Sequence, residues 1–305
     1  MGTIGDAGEF GLIARLTRRL PQGSDVRLGP GDDAAVIAAP DARVVATTDL
    51  LVEGRHFRRD WSGPYDIGRK AAAQNLADIV AMGARPTALL VGFAAPPDTC
   101  VDWAETLYDG LADECRVVGA SVAGGDVVGA SEITLAVTAL GDLGGAAPLT
   151  RSGARPGDVV AVRGRLGYAA AGLALLDAGR DGPAELLAAH RRPEPPYAAG
   201  DEARSHGATA LLDVSDGLVQ DLGHIAAASG VQIDVDSSAV PAPEILGPDG
   251  QHHALTGGED HAFAATFPPG TVPPAWTVIG TVAEGAGVRV DGREPPTGAW
   301  DHFPT

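Results

Sequence analysis

The segment that decides the fold class is Ala210-Leu211-Leu212-Asp213-Val214-Ser215-Asp216-Gly217-Leu218. An apolar run typical of a buried strand ends in a carboxylate, a glycine turn follows, and a stretch with helical spacing then extends to Gly230. In open sheets flanked by helices, ligand-binding groups gather at strand ends. The segment therefore predicts a mixture of strands and helices with polar binding groups between them.

The same alternation of strand-like and helix-like runs continues on both sides of this segment. Helices are predicted at residues 10–20, 66–82, 101–118, 168–178 and 218–229. Strands are predicted at residues 43–48, 87–93, 133–140, 158–162, 208–214, 231–235, 262–267 and 276–281. The chain has 305 residues, and a stretch rich in glycine at 141–157 interrupts the pattern. We therefore expect an α+β protein of two domains, residues 1–145 and 146–305.

The charge balance excludes several classes of protein. Lys and Arg number 22 against 40 Asp and Glu, a formal charge of −18, so the chain is no general binder of nucleic acid or of anionic membranes. No apolar run reaches the roughly 18 residues of a membrane span, and the first residues lack the pattern of a secretion signal. Cys100 and Cys115 cannot form a metal knuckle by themselves. We expect a cytoplasmic protein with reduced cysteines and with neither nucleic acid nor membrane as a partner.

Six acidic clusters lie at glycine turns, strand ends or helices: 31–33, 47–49, 75–78, 124–126, 213–217 and 257–260. A single Gly-Asp pair is more often an ordinary turn. Six such clusters together favour a hard divalent cation, because clustered carboxylates repel one another. Mg²⁺ takes only one or two carboxylates per ion and leaves other positions to water and phosphate. The clusters therefore predict several Mg²⁺ ions around a polyphosphate.

Standard nucleotide-binding motifs do not account for this polyphosphate. The sequence has no Gly-x-x-x-x-Gly-Lys-Ser/Thr loop, and Lys70 does not lie in a kinase-like Val-Ala-Ile-Lys strand. Gly164-Arg165-Leu166-Gly167 follows a predicted strand and opens a predicted helix. Backbone N–H groups there can bind an anion, although a simple helix cap is the more frequent structure.

One block is especially distinctive: Thr48-Asp49-Leu50-Leu51-Val52-Glu53-Gly54-Arg55-His56-Phe57. Together with the blocks at 31–36, 70–84, 124–126, 151–154, 213–218 and 257–260, it resembles the thiamine-monophosphate kinase family. The blocks occur in the family's order from residue 8 to Asp301-His302-Phe303, so the resemblance covers essentially the whole chain. The Gly-Asp-Asp and Asp-x-Ser-Asp-Gly blocks are shared more widely within the aminoimidazole ribonucleotide synthetase-like superfamily.

The resemblance implies a fold and a reaction. The implied fold is an aminoimidazole ribonucleotide synthetase-like α+β fold, in which the N-terminal domains of a homodimer pair into a joint β-barrel and ATP binds in a cleft. The implied reaction converts ATP and thiamine monophosphate into ADP and thiamine diphosphate by direct in-line transfer assisted by two or more Mg²⁺ ions. The acceptor phosphate is already ionised at neutral pH, so we assign no general base.

The resemblance also implies roles for individual residues. The implied metal shell is Asp33, Thr47, Thr48, Asp49, Asp78, Asp126, Asp213 and Asp216. The implied ATP contacts are Tyr108, Gly125, Asp126, Arg151 and Ser215. The implied substrate contacts are His56, Glu259 and Trp300, the last by stacking on the thiamine ring. Ordinary packing remains an alternative for Tyr108 and Trp300, and a strand-edge role remains one for His56.

Two segments depart from the family pattern. The Pro-x-Pro-Arg segment is Pro193-Glu194-Pro195-Pro196 here, and the Gly-Gly-Glu-Asp-Tyr-Glu block ends in His261-Ala262. Both changes put acceptor binding in question rather than the metal shell.

Alternatives of other classes stay open on the sequence. They are another ATP-using enzyme of the superfamily, such as a cyclising ligase or a selenophosphate synthetase, and a non-catalytic nucleotide sensor. A selenophosphate synthetase needs a reactive N-terminal Cys or selenocysteine, and a related hydrogenase-maturation protein ends in Cys. Both cysteines of this chain are internal.

Overall fold

The computed structural model describes residues 2–30 and 34–298. These residues form two compact units. The N-terminal unit comprises Met1–Ile79 and Ala84–Ala146, and the C-terminal unit comprises Val80–Gly83 and Ala147–Thr305. The predicted mixture of helices and strands is confirmed in both.

A four-stranded sheet organises the N-terminal unit. Its strand order is β3-β6-β4-β5, with β4 and β5 parallel and the other pairs antiparallel. The elements are α1 (Ile4–Thr17), β1 (Val26–Leu28), β2 (Val36–Ile37), β3 (Val45–Val52), α2 (Pro64–Ala81), β4 (Arg85–Ala95), α3 (Val101–Val118), β5 (Ser121–Gly129) and β6 (Thr134–Asp142). β1 and β2 form a separate antiparallel pair.

The two faces of this sheet differ in their surroundings. On one face α3 packs against β4 and β5, and side chains of α2 hydrogen-bond to β3. On the other face β3 presents Ala46, Thr48 and Leu50, and Leu50 is 58% exposed. Strand alternation therefore assigns successive residues of β3 to opposite environments.

A six-stranded sheet organises the C-terminal unit, in the order β12-β9-β11-β7-β10-β8. Its pairs are antiparallel except for β9 with β12. The elements are β7 (Val159–Arg163), α4 (Tyr168–Asp177), α5 (Ala184–Arg191), α6 (Ala199–Ser205), β8 (Ala210–Val214), α7 (Leu218–Ser229), β9 (Gln232–Val235), α8 (Gly250–Thr256), β10 (Ala262–Phe267), β11 (Thr277–Ala283) and β12 (Gly287–Val290). Two 3₁₀ turns, Ser237–Ala239 and Glu244–Leu246, precede α8.

The main core of the C-terminal unit lies between this sheet and two helices. Leu218, Leu222 and Ile225 of α7 pack with Leu255 of α8 against the sheet. The strand–turn–helix segment that predicts the fold class is thus β8 followed by α7, and α7 fills the core. Burial of this apolar face fixes where the loop between β8 and α7 lies.

Two sequence-based assignments near the acidic clusters are wrong. Asp49 does not end a strand, because β3 continues to Val52. Gly124-Gly125-Asp126 is not a turn but the middle of β5, a strand that the sequence analysis missed. Glycines are depleted in strands, so their presence disguised this one.

No helix among the described residues is both long enough and apolar enough to span a bilayer.

Candidate active site

In the N-terminal unit, three of the predicted metal-shell residues lie along one strip between β3 and α2. Thr47 and Asp49 share a face of β3, and Thr47 Oγ1 donates a hydrogen bond to Asp78 Oδ2 of α2 at 2.7 Å. The backbone N–H of Asp49 donates to Asn75 Oδ1 at 3.1 Å. Asn75 is fully buried and anchors its own amide on the carbonyl of Ala71. The strip therefore collects carboxylate, hydroxyl and amide oxygens.

The side chain of Thr48 lies on the opposite face of β3. Its hydroxyl donates to the carbonyl of Val137 at 3.0 Å and accepts from Thr138 Oγ1 at 3.1 Å. The structure therefore does not bring the Thr48 hydroxyl to Asp78. Its predicted contribution to a metal shell would have to come through its carbonyl.

Close packing of β4 and β5 explains why residue 125 is a glycine. A Cβ atom at this position would lie 1.9 Å from the carbonyl oxygen of Val91 in β4, so only glycine allows the strands to pair here. The neighbouring Asp126 is exposed, and its Oδ1 accepts the N–H of Val127. A phosphate contact of Gly125 stays a prediction, but its backbone is placed by the sheet.

Tyr108 is a core residue of the N-terminal unit. Its side chain is 5% exposed and meets Phe93 edge to face, with ring centroids 6.1 Å apart. Burial raises the pKa of the Tyr108 phenol, and the charge of Asp126 raises it further. The phenol therefore stays neutral near this acid, and its predicted proximity to adenine stays a prediction.

His56 follows β3 in the loop that the distinctive block predicts as substrate-binding. Its Nδ1 accepts the N–H of Val52 at 3.0 Å, so the neutral ring carries its proton on Nε2. The buried Lys70 ammonium donates to the carbonyl of His56 at 3.0 Å. Together these contacts fix the ring's tautomer and the backbone at this position.

In the C-terminal unit, the loop between β8 and α7 is organised by a residue that the sequence analysis did not single out. Asp221 Oδ2 accepts the backbone N–H groups of Ser215, Asp216 and Gly217, each at 3.1 Å. Asp221 is 3% exposed, and burial raises its pKa to about 7, with the charges of Asp216 and Asp213 adding to the effect. The available signal was an acid in the first turn of a helix that follows a glycine turn.

A second segment, residues 257–261, lies directly against this loop. The N–H of Glu259 donates to the carbonyl of Ser215 at 2.8 Å, and a Cβ at Gly258 would lie 2.1 Å from that same oxygen. Glu259 has a left-handed backbone with φ +67°, as does His261 with φ +50°. The contact requires this conformation despite its cost for residues other than glycine.

Two histidine–carboxylate pairs accompany this segment. His261 Nδ1 lies 3.0 Å from Asp213 Oδ2, and both side chains are buried. His190 Nδ1 lies 3.3 Å from Glu259 Oε2. The departure from the family pattern at His261 therefore bears on a predicted metal-shell residue, Asp213, as well as on acceptor binding.

The loop at 164–167 proves to be capped from within. Asp260 Oδ1 accepts the N–H of Ala169 at the start of α4, at 2.9 Å. Asp260 is 7% exposed, and burial raises its pKa to about 7. A carboxylate of the chain itself thus occupies the position that an external anion would need.

Arg151 lies in the C-terminal unit with an exposed side chain. Among the described residues no carboxylate forms an ion pair with its guanidinium, whereas its carbonyl accepts the hydroxyl of Ser229 at 3.1 Å. The backbone is thus held while the cation is available to a phosphate. Asp33 and Trp300 lie outside the described residues, and their roles stay predictions.

The chemistry of these donors suits Mg²⁺. Within residues 2–30 and 34–298 no three His, Cys, Asp or Glu side chains form a ready-made metal site. Mg²⁺ does not require one, because it usually keeps several waters and binds one or two carboxylates together with phosphate oxygens. Asp49 and Asp78 in one unit, and Asp213 and Asp216 in the other, are hard oxygen donors of this kind.

The fold and these acid-rich elements define a class that comparison with known proteins identifies. Residues 31–143 match the family described as AIR synthase related protein, N-terminal domain, and residues 155–293 match its C-terminal domain. The chain therefore is an AIR synthase related protein.

Individual relatives narrow the class. The chain is 50% identical over 301 residues to thiamine-monophosphate kinase of Mycobacterium tuberculosis strain H37Rv, a match that covers 96% of this chain and 90% of that protein. The thiamine-monophosphate kinase structure from Stenotrophomonas maltophilia K279a has a TM-score of 0.82 and 36% identity, covering 92% of this chain and 96% of that one. AaThiL complexed with AMPPCP and TMP has a TM-score of 0.79 and 34% identity, with 97% of each chain covered. The chain belongs to the thiamine-monophosphate kinase family, which confirms the resemblance found in the sequence.

Proposed function

We propose that this chain transfers the γ-phosphoryl group of ATP to the phosphate of thiamine monophosphate, giving ADP and thiamine diphosphate. The observation that carries the proposal is the likeness to AaThiL complexed with AMPPCP and TMP, since 34% identity extends over 97% of both chains. The oxygen-rich strip of Thr47, Asp49 and Asp78 supports it, because phosphoryl transfer depends on positioning and charge neutralisation.

The transfer proceeds in line, without a covalent enzyme intermediate. Several Mg²⁺ ions, when bound, neutralise phosphate charge that would otherwise repel the attacking acceptor. Asp49 and Asp78 would hold such ions in the N-terminal unit, and Asp213 and Asp216 would do so in the C-terminal unit. Arg151 supplies a cation to a phosphate oxygen. Proton removal is not needed, because the acceptor oxygen is already ionised.

The active protein is a homodimer in which the N-terminal units pair their sheets into a barrel. The face of β3 that carries Leu50 supports this part of the proposal, because Leu50 and Val44 are 58% and 52% exposed. Apolar side chains at such exposure on an open sheet favour burial against a partner. In a dimer with twofold symmetry, the same residues of a second copy cover this face.

A direct assay tests the reaction. Purified protein is mixed with Mg-ATP and thiamine monophosphate, and thiamine diphosphate is measured by chromatography. We expect stoichiometric formation of ADP and thiamine diphosphate, and no phosphorylation of thiamine, which lacks the acceptor phosphate. Phosphorylation of free thiamine, or ATP hydrolysis without product, would overturn the proposed reaction.

Excess EDTA supplies the control for metal. It should abolish turnover, and added Mg²⁺ should restore it. Full activity in excess chelator would show that the acidic clusters are structural.

The oligomeric state is measured separately, by sedimentation of the parent and of Leu50→Glu. We expect the Leu50→Glu variant to shift from dimer toward monomer.

A further inference from the structure

The loop between β8 and α7 has its backbone donors already occupied. Three consecutive N–H groups, those of Ser215, Asp216 and Gly217, converge on a single oxygen of Asp221 at 3.1 Å each. Consecutive N–H groups before a helix commonly bind phosphate or another external anion. Here a buried carboxylate of the chain itself takes that place.

The carbonyl side of the same loop is also engaged. Ser215 accepts the N–H of Glu259 at 2.8 Å, and close approach leaves no room for a Cβ at Gly258. At the start of the loop, Asp213 Oδ2 lies 3.0 Å from His261 Nδ1. The loop is therefore fixed by contacts on both sides of its backbone.

This arrangement changes what the loop can bind. With its N–H groups taken, it has no backbone donors to offer a phosphate. The other polar groups of the loop are the carboxylates of Asp213 and Asp216 and the hydroxyl of Ser215, all of them oxygen donors to a hard cation. A polyanion can approach two carboxylates only when a cation lies between them.

We propose that Asp221 is a positioning residue for this loop: by accepting three N–H groups it sets the backbone at Ser215 and Asp216, and with it the orientation of the Asp216 carboxylate and the Ser215 hydroxyl toward a nucleotide-bound cation. The proposal rests on the proposed function, since the nucleotide is that of the kinase reaction. Asp221 acts through Ser215 and Asp216, whose backbone it holds, and it need not touch the ligand.

Cation binding provides a readout that does not depend on turnover. Mn²⁺ binding to the full chain is measured by electron paramagnetic resonance, and ADP binding by titration calorimetry with and without Mg²⁺. We expect Asp221→Ala to weaken Mn²⁺ binding about tenfold or more, because three backbone N–H groups lose their acceptor and the loop rearranges. Asp221→Asn should stay within about threefold of the parent, because its amide oxygen still accepts.

Asp158→Ala is the matched control. Asp158 is also buried in the same unit and also holds a turn, accepting the N–H of Arg155 at 2.9 Å and the hydroxyl of Thr209 at 2.7 Å. Asp158 directly precedes β7, whose first residue Val159 pairs with Phe267 at one end of β10, whereas Asp213 pairs with Phe263 near the other end of β10. Its variant should lose stability without a change in Mn²⁺ affinity.

Kinetics separate positioning from general damage. In Asp221→Ala the Mg²⁺ concentration for half-maximal turnover should rise about tenfold, a larger change than in the KM for thiamine monophosphate, because Asp221 holds this loop directly and reaches Glu259 only through Ser215. If a folded Asp221→Ala variant binds Mn²⁺ as well as the parent does, Asp221 only caps the helix and the proposal is overturned. Loss of Mn²⁺ binding in a folded Asp221→Asn would show that the negative charge itself is needed and would also overturn the proposal.

One measurement needs no variant at all. Parent protein in EDTA should bind ADP at least about tenfold more weakly than with Mg²⁺, and equal affinity would refute cation-mediated binding at this loop. The two proposals fail separately. Altered Mn²⁺ binding without thiamine diphosphate formation overturns only the kinase function, and thiamine diphosphate formation with unaltered Mn²⁺ binding overturns only the role of Asp221.

Discussion

The two units hold their acidic residues by different means. In the N-terminal unit, Asp49, Asp78 and Asp126 lie on β3, α2 and β5, so sheet register and helix periodicity place them. In the C-terminal unit, Asp216 and Glu259 lie in loops that depend on Asp221 and on left-handed backbone. The first arrangement changes only when a sheet is disrupted, whereas the second depends on a few individual contacts.

The largest effect we expect is on turnover, from a change in the rigid arrangement. Asp49→Asn and Asp126→Asn should each lower kcat about a hundredfold or more, the scale for loss of one charge-stabilising group in an active site. Stability should be unchanged or higher, because removing one of several like charges relieves repulsion. Steady-state kinetics and thermal denaturation measure the two quantities.

Asp102→Asn on the exposed surface of α3 supplies the control, and its kinetics should match the parent. If Asp49→Asn melts well below the parent, the strip between β3 and α2 is a structural network and not a cation site.

Glycine replacements test the comparison directly. Gly125→Ala should lower the free energy of unfolding by roughly 3 kcal/mol, because its Cβ would meet the Val91 carbonyl at 1.9 Å inside the sheet. Gly124→Ala, whose Cβ would have 3.5 Å to Leu90, is the matched control and should cost less than about 1 kcal/mol. Urea denaturation measures both.

The corresponding replacement in the C-terminal loops is Gly258→Ala, with a Cβ 2.1 Å from the Ser215 carbonyl. Because loops can shift, it should cost only about 1–2 kcal/mol while weakening Mn²⁺ binding. Equal losses of stability at Gly125 and Gly258 would remove the distinction between the two units.

A pH-dependent effect of intermediate size is expected from Asp260. Burial raises its pKa in the folded chain to about 7, above the ordinary value of 3.8. Its contribution to stability is therefore fully present below about pH 4 and is lost as the pH rises through 7, with a slope of at most about 1.4 kcal/mol per pH unit.

Asp260→Asn should abolish this slope. The free energy of unfolding of the parent, measured in urea between pH 4 and pH 8, should fall relative to that of the variant as the pH rises. Parallel profiles would show that Asp260 is ionised in the folded chain throughout this range.

The smallest effect is expected at the surface of the N-terminal unit. Arg19 pairs with Glu105 at 3.3 Å and with Asp109, linking the end of α1 to α3. Because these groups are partly exposed, Arg19→Ala should cost less than about 1 kcal/mol, and less still at high salt. Denaturation at 0.05 M and 1 M salt checks both statements, and a salt-independent loss above 2 kcal/mol would contradict them.

Elements with strong periodicity and glycine caps could be predicted from the sequence. The bounds of α3 and α7 agree with the predicted ones, and Gly119 and Gly230 follow them in left-handed conformation. β5 could not be predicted in this way, because its glycines serve close strand approach and weaken the strand signal. Asp49 was misplaced at a strand end because two threonines and an acid interrupt an apolar run.

The acidic clusters themselves could be found by eye, since glycine turns and carboxylates are local features. The residues that hold these clusters in place could not be found in this way. Asp221 and His261 act on residues brought close by packing of α7 and β10, and no spacing rule distinguishes a helix acid that accepts three N–H groups from one that faces water. Asn75 lies inside a recognised block, yet only the fold shows that its oxygen reaches the backbone of Asp49.

That contact has a consequence for how the edge of the sheet can pair with another strand. Among the described residues β3 lies at the border of its sheet, where a strand with unsatisfied backbone donors can recruit a strand from another molecule. Asn75 takes up the donor of Asp49 and closes this position from within the chain. The side chain that steadies one acidic residue thereby also restricts strand addition, because any strand that adds to this edge, including one from a second copy, has to pair without the N–H of Asp49.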